Sequence, residues 1–415
     1  MANNVLPDKL ALEKQAVGDL CLDAWGVPKA SLALSLFHGM FTYDVPSEYW
    51  KESINDVEQI ALVNATSSNG ELVMTSNGVL NDSVLLDTFR SPRYQPNRGH
   101  LFSTSLFFDN PTLAGERTVG IFTQESGLGI RLRGNGSTWT MYLMSRTTIG
   151  AVTTDTETEV VDLPAGFDPA KGNIYDIQMQ WRGVGNFKLY IGDAATGASA
   201  LVLTVNNLNV VDNVTIYNPA LPIAFECINQ GSDVVIRSGC VDVSSEGGQD
   251  DKGFYGSIGI DNNTGQVAVS GFNTPVLVVR NKHLSPSGLR NTRDMIALLS
   301  TAYSDQRSVM RVWATRDDTA ITLNDQAWVS FRDGLIDSIQ YDNPAVTTPI
   351  TFDTTKAELI FTARVDQDQS YSSSALFEGR TDIFQTPGDI FIFTIHRETG
   401  ANANVGVTYE FAEEV

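Results

Sequence analysis

The sequence predicts an all-β protein, with two β-sandwich (jelly-roll-like) domains preceded by an extended, partly helical N-terminal arm. Three observations carry this. From about Leu72 onward the chain consists of short segments rich in Val, Ile, Thr, Phe and Tyr, among them LFSTSLFFDN, TVGIFTQ, QVAVSGF and DIFIFTIHRE. Gly, Asn, Asp or Pro separates them, and regular short strands with that punctuation favour sandwiches or barrels, since no helical pattern of ~10–15 residues alternates with them as a parallel α/β sheet would need. At 415 residues the chain also exceeds one typical core, so two or three domains are expected.

The arm covers residues 1–70 and is read as a possible attachment segment. Pro7 to Trp25 sets Leu10, Leu12, Ala16, Val17 and Leu20 on one broad face, with Pro7 and Asp8 as start signals for a helix. A second helix is expected from Ser47 to Val63, opened by Ser47 and an acidic first turn. Between them, Pro28 to Pro46 crowds Leu32, Leu34, Leu36, Phe37, Met40, Phe41 and Tyr43 together. Such density either packs on its own domain or is completed by a neighbouring chain, and Leu34, Phe37, Met40, Phe41 and Tyr43 are the expected interface.

The first domain is expected over 71–246. Within it NIYDIQMQWRGVGNFKLYI, Asn173 to Ile191, alternates apolar and polar residues from Ile177 to Arg182, breaks at Gly183 and Gly185, and resumes at Phe187, Leu189 and Ile191. That pattern is a hairpin whose glycines supply the turn angles, with Trp181 in phase with Ile177 and Met179 as a core anchor. Ser244 to Phe254 (SSEGGQDDKGF) has linker composition, and the second domain follows over 247–415.

Chemistry is sparse in this pattern. With 28 Lys and Arg against 49 Asp and Glu the net charge is −21, which argues against nucleic acid or an anionic membrane as partner. No leader-like apolar core follows a basic start, and no run reaches the ~18 apolar residues of a membrane span. Cys21, Cys227 and Cys240 are odd in number with no CxxC spacing, so free thiols made in a reducing cytoplasm are expected. His38, His100, His283 and His396 stand outside any metal or triad motif. The Asp-rich runs Asp261 to Gln266, Val365 to Ser370 and Arg316 to Thr319 match no calcium loop and read as Asx turns. No metal and no cofactor is expected. A glycosidase pair of carboxylates is left open, because only separation in space would define it. With no anchored catalytic set, the expectation is a structural or binding protein and no enzyme.

The succession DAWG (Asp23 to Gly26), RSPRYQPNRGHLFSTSLFF (Arg90 to Phe108), FDPAKGNIYDIQMQWRGVGNFKLYIGD (Phe167 to Asp193), NPALPIAFECIN (Asn218 to Asn229) and VDVSSEGGQ (Val241 to Gln249) resembles a family of virion structural proteins of tailed bacteriophages. In that family an Asp-Ala-Phe-Gly start, a Tyr-Gln-Pro-Gly element, a Gln-Trp-Leu-Gly-Val-Gly hairpin, an Asn-Leu-Pro strand and an Ile-Ser-Glu-Gly-Gly junction follow in this order. The likeness continues through Asn273 to Lys282 and Ala403 to Phe411, with departures at Trp25, at VPK after Gly26, at Asn97 and at Arg182. It implies a capsid decoration, neck, baseplate or fibre-base component, made in the host bacterial cytoplasm and resident in the virion. Its expected partners are itself, as a trimer, and other virion proteins, with no catalytic residues to carry over. The alternative is a lectin-like or receptor-binding module of the particle, for which Trp139 and Trp328 would be ligand platforms if exposed.

Overall fold

The computed structural model describes residues 33–246 apart from 60, 96, 97 and 151, and beyond them 254–260, 267–269, 274–284, 291, 293, 295–322, 328–331, 336–340, 350–366, 369–372, 384–398 and 403–413. The chain separates into two compact units, Met1–Asp250 and Asp251–Val415. Among the described residues there is no α-helix; two short 3-10 turns, Asp318–Ala320 and Thr354–Lys356, interrupt the strands.

In the first unit the strands are β1 (Ala33–Met40), β2 (Trp50–Ile54), β3 (Val57–Gln59), β4 (Ala65–Ser68), β5 (Glu71–Thr75), β6 (Ser83–Thr88), β7 (Gly99–Asp109) and β8 (Gly115–Phe122). They continue with β9 (Gly127–Gly134), β10 (Trp139–Ile149), β11 (Val152–Glu159), β12 (Asn173–Met179), β13 (Phe187–Gly192), β14 (Ser199–Val205), β15 (Ile223–Asn229) and β16 (Val235–Glu246). One sheet runs β14-β13-β12-β7-β16-β5-β4, with β1 also on β16; the other runs β11-β10-β9-β8-β15-β6-β2-β3. Every pairing is antiparallel, and burial alternates along β7, where Phe102, Leu106 and Phe108 face the core. Val119, Ile121, Ile130, Leu132, Leu143 and Phe225 meet them from the other sheet. The period-two pattern read in the sequence is therefore the pattern of the core.

The predicted helix over Ser47 to Val63 is corrected by the structure. Those residues form the β2–β3 hairpin, with Ile54 opposite Val57 and Asn55 and Asp56 between them at φ 47° and 68°. Two consecutive residues in the left-handed region are the signature of a type I′ hairpin turn, and Asn and Asp tolerate it best. Burial completes the override: Trp50 lies between Phe41 and Phe225 at ring separations of 5.5 and 5.8 Å. Glu52, fully buried, accepts from the backbone N–H groups of Val63, Asn64 and Ala65. The first predicted helix, Pro7 to Trp25, lies outside the described residues. The expected boundary at residue 70 falls inside the sandwich, since β1 to β4 supply strands to both of its sheets. Of the expected linker, Ser244–Glu246 still belong to β16.

The second unit holds β17 (Phe254–Ile260), β18 (Val267–Val269), β19 (Thr274–Asn281), β20 (Met295–Ser304), β21 (Ser308–Thr315), β22 (Ile321–Thr322) and β23 (Val329–Phe331). Then come β24 (Ile336–Gln340), β25 (Thr351–Phe352), β26 (Glu358–Val365), β27 (Gln369–Ser372), β28 (Phe384–Gln385), β29 (Ile390–Arg397) and β30 (Ala403–Glu413). One sheet is β17-β30-β20-β27 with β18 and β28 attached, the other β23-β24-β19-β29-β21-β26, and β22 pairs with β25. Leu277, Val279, Phe391 and Phe393 face the main core, while Val278, Ile390 and Ile392 face a smaller cluster on the opposite side. Burial on both faces explains why these two strands read as unbroken apolar runs.

Candidate functional site

The five residues expected at an interface divide between surface and core. Leu34, Met40 and Tyr43 are 46%, 68% and 94% exposed. Phe37 instead stands edge-on to Trp50 at 6.0 Å, and Phe41 is fully buried. A bulge in the β1–β16 pairing between Ser35 and Phe37 shifts the alternation, which turns Leu36 and Phe37 towards the protein. Tyr49, Val57 and Val63 are exposed as well, among the exposed carboxylates Asp44, Glu48, Asp56 and Glu58.

The β12–β13 turn is built as its sequence suggests. Trp181 is half-buried against the core, edge-on to Tyr94 at 5.8 Å, and its Nε1 donates to the carbonyl of Ile216 at 3.0 Å. Arg182 and Gly183 take φ 40° and 86°. At Gly185 a Cβ would sit 1.6 Å from the carbonyl oxygen of Gln180, so the turn admits glycine alone there. Beneath Tyr94, at 5.3 Å, lies the buried ring of His100, whose pKa burial lowers to about 4.

A polar array that the sequence analysis did not single out lies on the outer face of the other sheet. Arg131 on β9 reaches Asp155 at 2.8 Å and Glu157 at 2.7 Å, with Glu116 and Glu226 at 3.6 and 3.7 Å. Arg133 holds Glu116 and Glu157, each at 2.8 Å, and stacks over Tyr142 at 5.3 Å. Arg146 on β10 grips Asp155 through both oxygens at 2.8 and 3.1 Å, touches Glu226 at 3.4 Å and lies over Phe122. Burial acts to raise the Asp155 carboxyl, but Arg146, with Arg131 behind it, outweighs burial and holds it below the ordinary carboxylate range. Arg131 is only 4% exposed, so the array is largely withdrawn from water, its charges satisfied by one another. The signal for it was present: Arg131 and Arg133, like Asp155 and Glu157, recur with period two on strands that share a sheet.

Trp139 packs edge-on against Phe167 at 6.2 Å, and Trp328, in the second unit, lies beneath the Arg280 guanidinium at 4.1 Å. Both rings are half-buried, and each already has a partner on it. Cys227 is buried, which pushes its thiol up to about 12, and Cys240 is exposed; both are free, while Cys21 lies outside the described residues. Asp317 accepts from the Thr319 N–H at 2.8 Å as the expected Asx turn, whereas Asp261 to Gln266 lies outside the described residues. Among the described residues no group of three or more His, Cys, Asp or Glu is placed to hold a metal ion, and no helix is long and apolar enough to cross a membrane.

No protein-family model matches the chain, and no curated protein does. Among solved structures it is similar to a glycoside hydrolase family 16 protein from Mycobacterium smegmatis, at 12% identity and TM-score 0.37, over 51% of this chain and all of that one. A β-1,3-glucanase from Mycobacterium marinum gives 15% identity and TM-score 0.35, over 51% of this chain and all of its own. The CBM2 module of an evolved Dit from Lactobacillus casei BL23 phage J-1 gives 10% and 0.33, over 51% of this chain and 95% of the module. At these values the likeness carries no argument about chemistry. The expectation that the chain is no enzyme is corrected on its own ground, the absence of a catalytic motif. Glycoside hydrolases stand among its similar structures, and a missing sequence motif does not exclude a carboxylate pair assembled in space.

Proposed function

We propose that the chain is a structural component of a tailed-phage particle, a capsid decoration, neck, baseplate or fibre-base protein that works through protein–protein contact. The observation that carries this reading is the surface of the N-terminal strands, where Leu34, Met40, Tyr43, Tyr49, Val57 and Val63 are all exposed. Apolar side chains concentrated on one stretch of a folded body suit a partner that covers them. The ordered motifs that resemble the phage family agree with it, and the hairpin among them is a rigid turn of the scaffold. The test is mass spectrometry of purified particles from the phage that encodes the chain, with an averaged electron-microscopy map to place it. Its absence from the particle overturns the reading.

A second reading is a lectin-like or receptor-binding module of the same particle. The observation favouring it is the accessible end of the polar array, where Arg133, Glu157 and the half-buried ring of Tyr142 lie together. Charged groups beside an aromatic face suit sugar hydroxyls and a sugar's apolar face. A glycan array separates the readings: saturable binding that Arg133→Ala abolishes supports the second, and no binding to any glycan removes it.

A further inference from the structure

Three Asn-Gly pairs occur in the chain, Asn69-Gly70, Asn77-Gly78 and Asn135-Gly136, and all lie in the first unit. Such a pair is reactive, because the glycine nitrogen, with no side chain beside it, approaches the asparagine carboxamide closely. The fold holds two of the three in place. Asn77 Nδ2 donates to Asp82 Oδ2 at 2.7 Å, and its Oδ1 accepts from the Val79 N–H at 3.1 Å. Asn135 Nδ2 donates to Thr138 Oγ1 at 2.9 Å, and its Oδ1 accepts from the N–H groups of Ser137 and Thr138 at 3.0 and 2.9 Å. The Gly136 N–H, the group that would attack, donates to the Thr112 carbonyl at 2.7 Å.

The third pair is not held. Asn69 and Gly70 form the two-residue turn between β4 and β5, with Ser68 paired to Glu71 and φ of 55° and 83°, the type I′ pattern. Asn69 is exposed, and among the described residues neither its carboxamide nor the Gly70 N–H has a hydrogen-bond partner. Among the same residues nothing lies within 4 Å of a Cβ built at Gly70, so the space around the turn is open. Ring closure requires the Asn69 side chain and the backbone after it to rotate out of the turn. The strand that must give is β4, four residues long and at the edge of its sheet. Such a hairpin tip, with few buried contacts, opens at the low end of the range of local stabilities.

We infer that Asn69 is a site of spontaneous covalent modification, the first of the three Asn-Gly pairs to convert in the folded chain. The Gly70 nitrogen attacks Asn69 Cγ and gives up its proton, the Cγ–Nδ2 bond breaks, and ammonia leaves, closing a cyclic imide. Water then opens the ring. Its addition at the side-chain carbonyl gives aspartate, and its addition at the main-chain carbonyl gives isoaspartate, in which the chain runs on through Cγ. No oxidant or reductant takes part. Either product adds a negative charge to a chain that carries −21. Isoaspartate also lengthens the main chain by a methylene, so the turn is no longer of the two-residue type that sets Ser68 opposite Glu71, whose carboxylate holds Arg237 at 2.7 Å.

The test is incubation of the full chain at mildly alkaline pH, followed by peptide mapping with mass spectrometry that separates aspartate from isoaspartate. Conversion at Asn69 is expected to run about tenfold or more ahead of Asn77 and Asn135, because two or more hydrogen bonds must break before either of those reacts. In urea, with the fold removed, the three should convert at similar rates. Isoelectric focusing gives a second reading: acidic forms should accumulate in the parent chain and far more slowly in Asn69→Gly, which keeps a residue suited to the left-handed turn. Conversion of Asn77 or Asn135 as fast as Asn69, a lead for Asn69 that persists undiminished in urea, or acidic forms that build up in Asn69→Gly at the parent rate would overturn the inference. An Asn69 that stays intact in the folded chain while all three convert in urea would do the same.

Discussion

Two regions of the first unit expose apolar side chains, and they differ in both footing and charge. The N-terminal region, from Leu34 to Val63, stands on a full aromatic anchor, Trp50 between Phe41 and Phe225, and carries Asp44, Glu48 and Asp56 at its surface beside the Lys51–Glu58 ion pair. The turn-and-loop region, with Val184 and Leu208 to Tyr217, stands on the half-buried Trp181 and on hydrogen bonds to the turn backbone, and it exposes Arg182 as well as Asp212. In both, an inward-turned residue fixes the backbone that leaves its neighbours outside. The difference in charge decides what each can meet. An acidic surface suits a partner of opposite sign, whereas a surface carrying both signs does not select one by charge.

The largest expected effect falls on the first anchor. Trp50→Ala removes a buried ring and should destabilise the first unit by about 3–5 kcal/mol, read as a lower urea midpoint. A loss below about 1 kcal/mol would mean that β2 is peripheral and that the two regions do not differ in footing.

Acid should act first on the second region. The folded pKa of His100, about 4, lies below its ordinary 6.5, so the neutral ring is the form the fold prefers. The unfolded chain binds the proton first as pH falls, so this contribution is complete above pH 6.5 and is lost down to about pH 4. Across that window the loss is on the order of 3 kcal/mol. Asp155, held low by Arg146, adds an acid-sensitive step of the same sign below the ordinary carboxylate range. Because His100 supports Tyr94 and Tyr94 supports Trp181, amide exchange at residues 180–186 should accelerate at pH 5 before that at residues 50–54. His100→Gln should flatten the limb between pH 6.5 and 4. Simultaneous loosening of both regions would break the comparison.

Gly185→Ala comes next. Its methyl carbon would lie 1.6 Å from the Gln180 carbonyl oxygen, a backbone atom that cannot turn aside. A loss of about 1–3 kcal/mol is expected from the forced shift. The turn would open, the Asn207 amide would lose the Gly185 carbonyl to which it donates, and the outward loop would loosen, measurable as faster exchange from 206 to 217. An unchanged melting temperature would show that the loop does not depend on the turn.

How much of this was legible follows from where the signals are local. The hairpin at Trp181, Gly183 and Gly185 could be read because period-two alternation and paired glycines act within a few residues. The Asn55–Asp56 turn is obscured in the sequence: two such residues between Ile54 and Val57 are a hairpin signal, but an acidic first turn after Ser47 competes with it as a helix start. Phe41 could not be told from Tyr43 by composition: one is buried and the other almost bare, and the difference is set by Trp50 on β2 together with Phe225 on β15, far along the chain. The arginine array is non-local in the same way, since Glu116, Arg131, Asp155 and Glu226 sit on four strands that only the sheet order brings together.

The smallest effect on stability is the sharpest test of what the two regions do. Met40 and Tyr43 are 68% and 94% exposed, so Met40→Ser with Tyr43→Ser should stay within about 0.5 kcal/mol of the parent chain. Incorporation into particles should fall, because the partner that covers them loses two apolar contacts. Val210→Asp, at a side chain 70% exposed in the turn-and-loop region, should be as mild for stability and leave incorporation unchanged. If the serine variant leaves incorporation intact, or the Val210 variant lowers it, the two regions have been assigned the wrong way round, and the acidic surface is then not what the particle's partner meets.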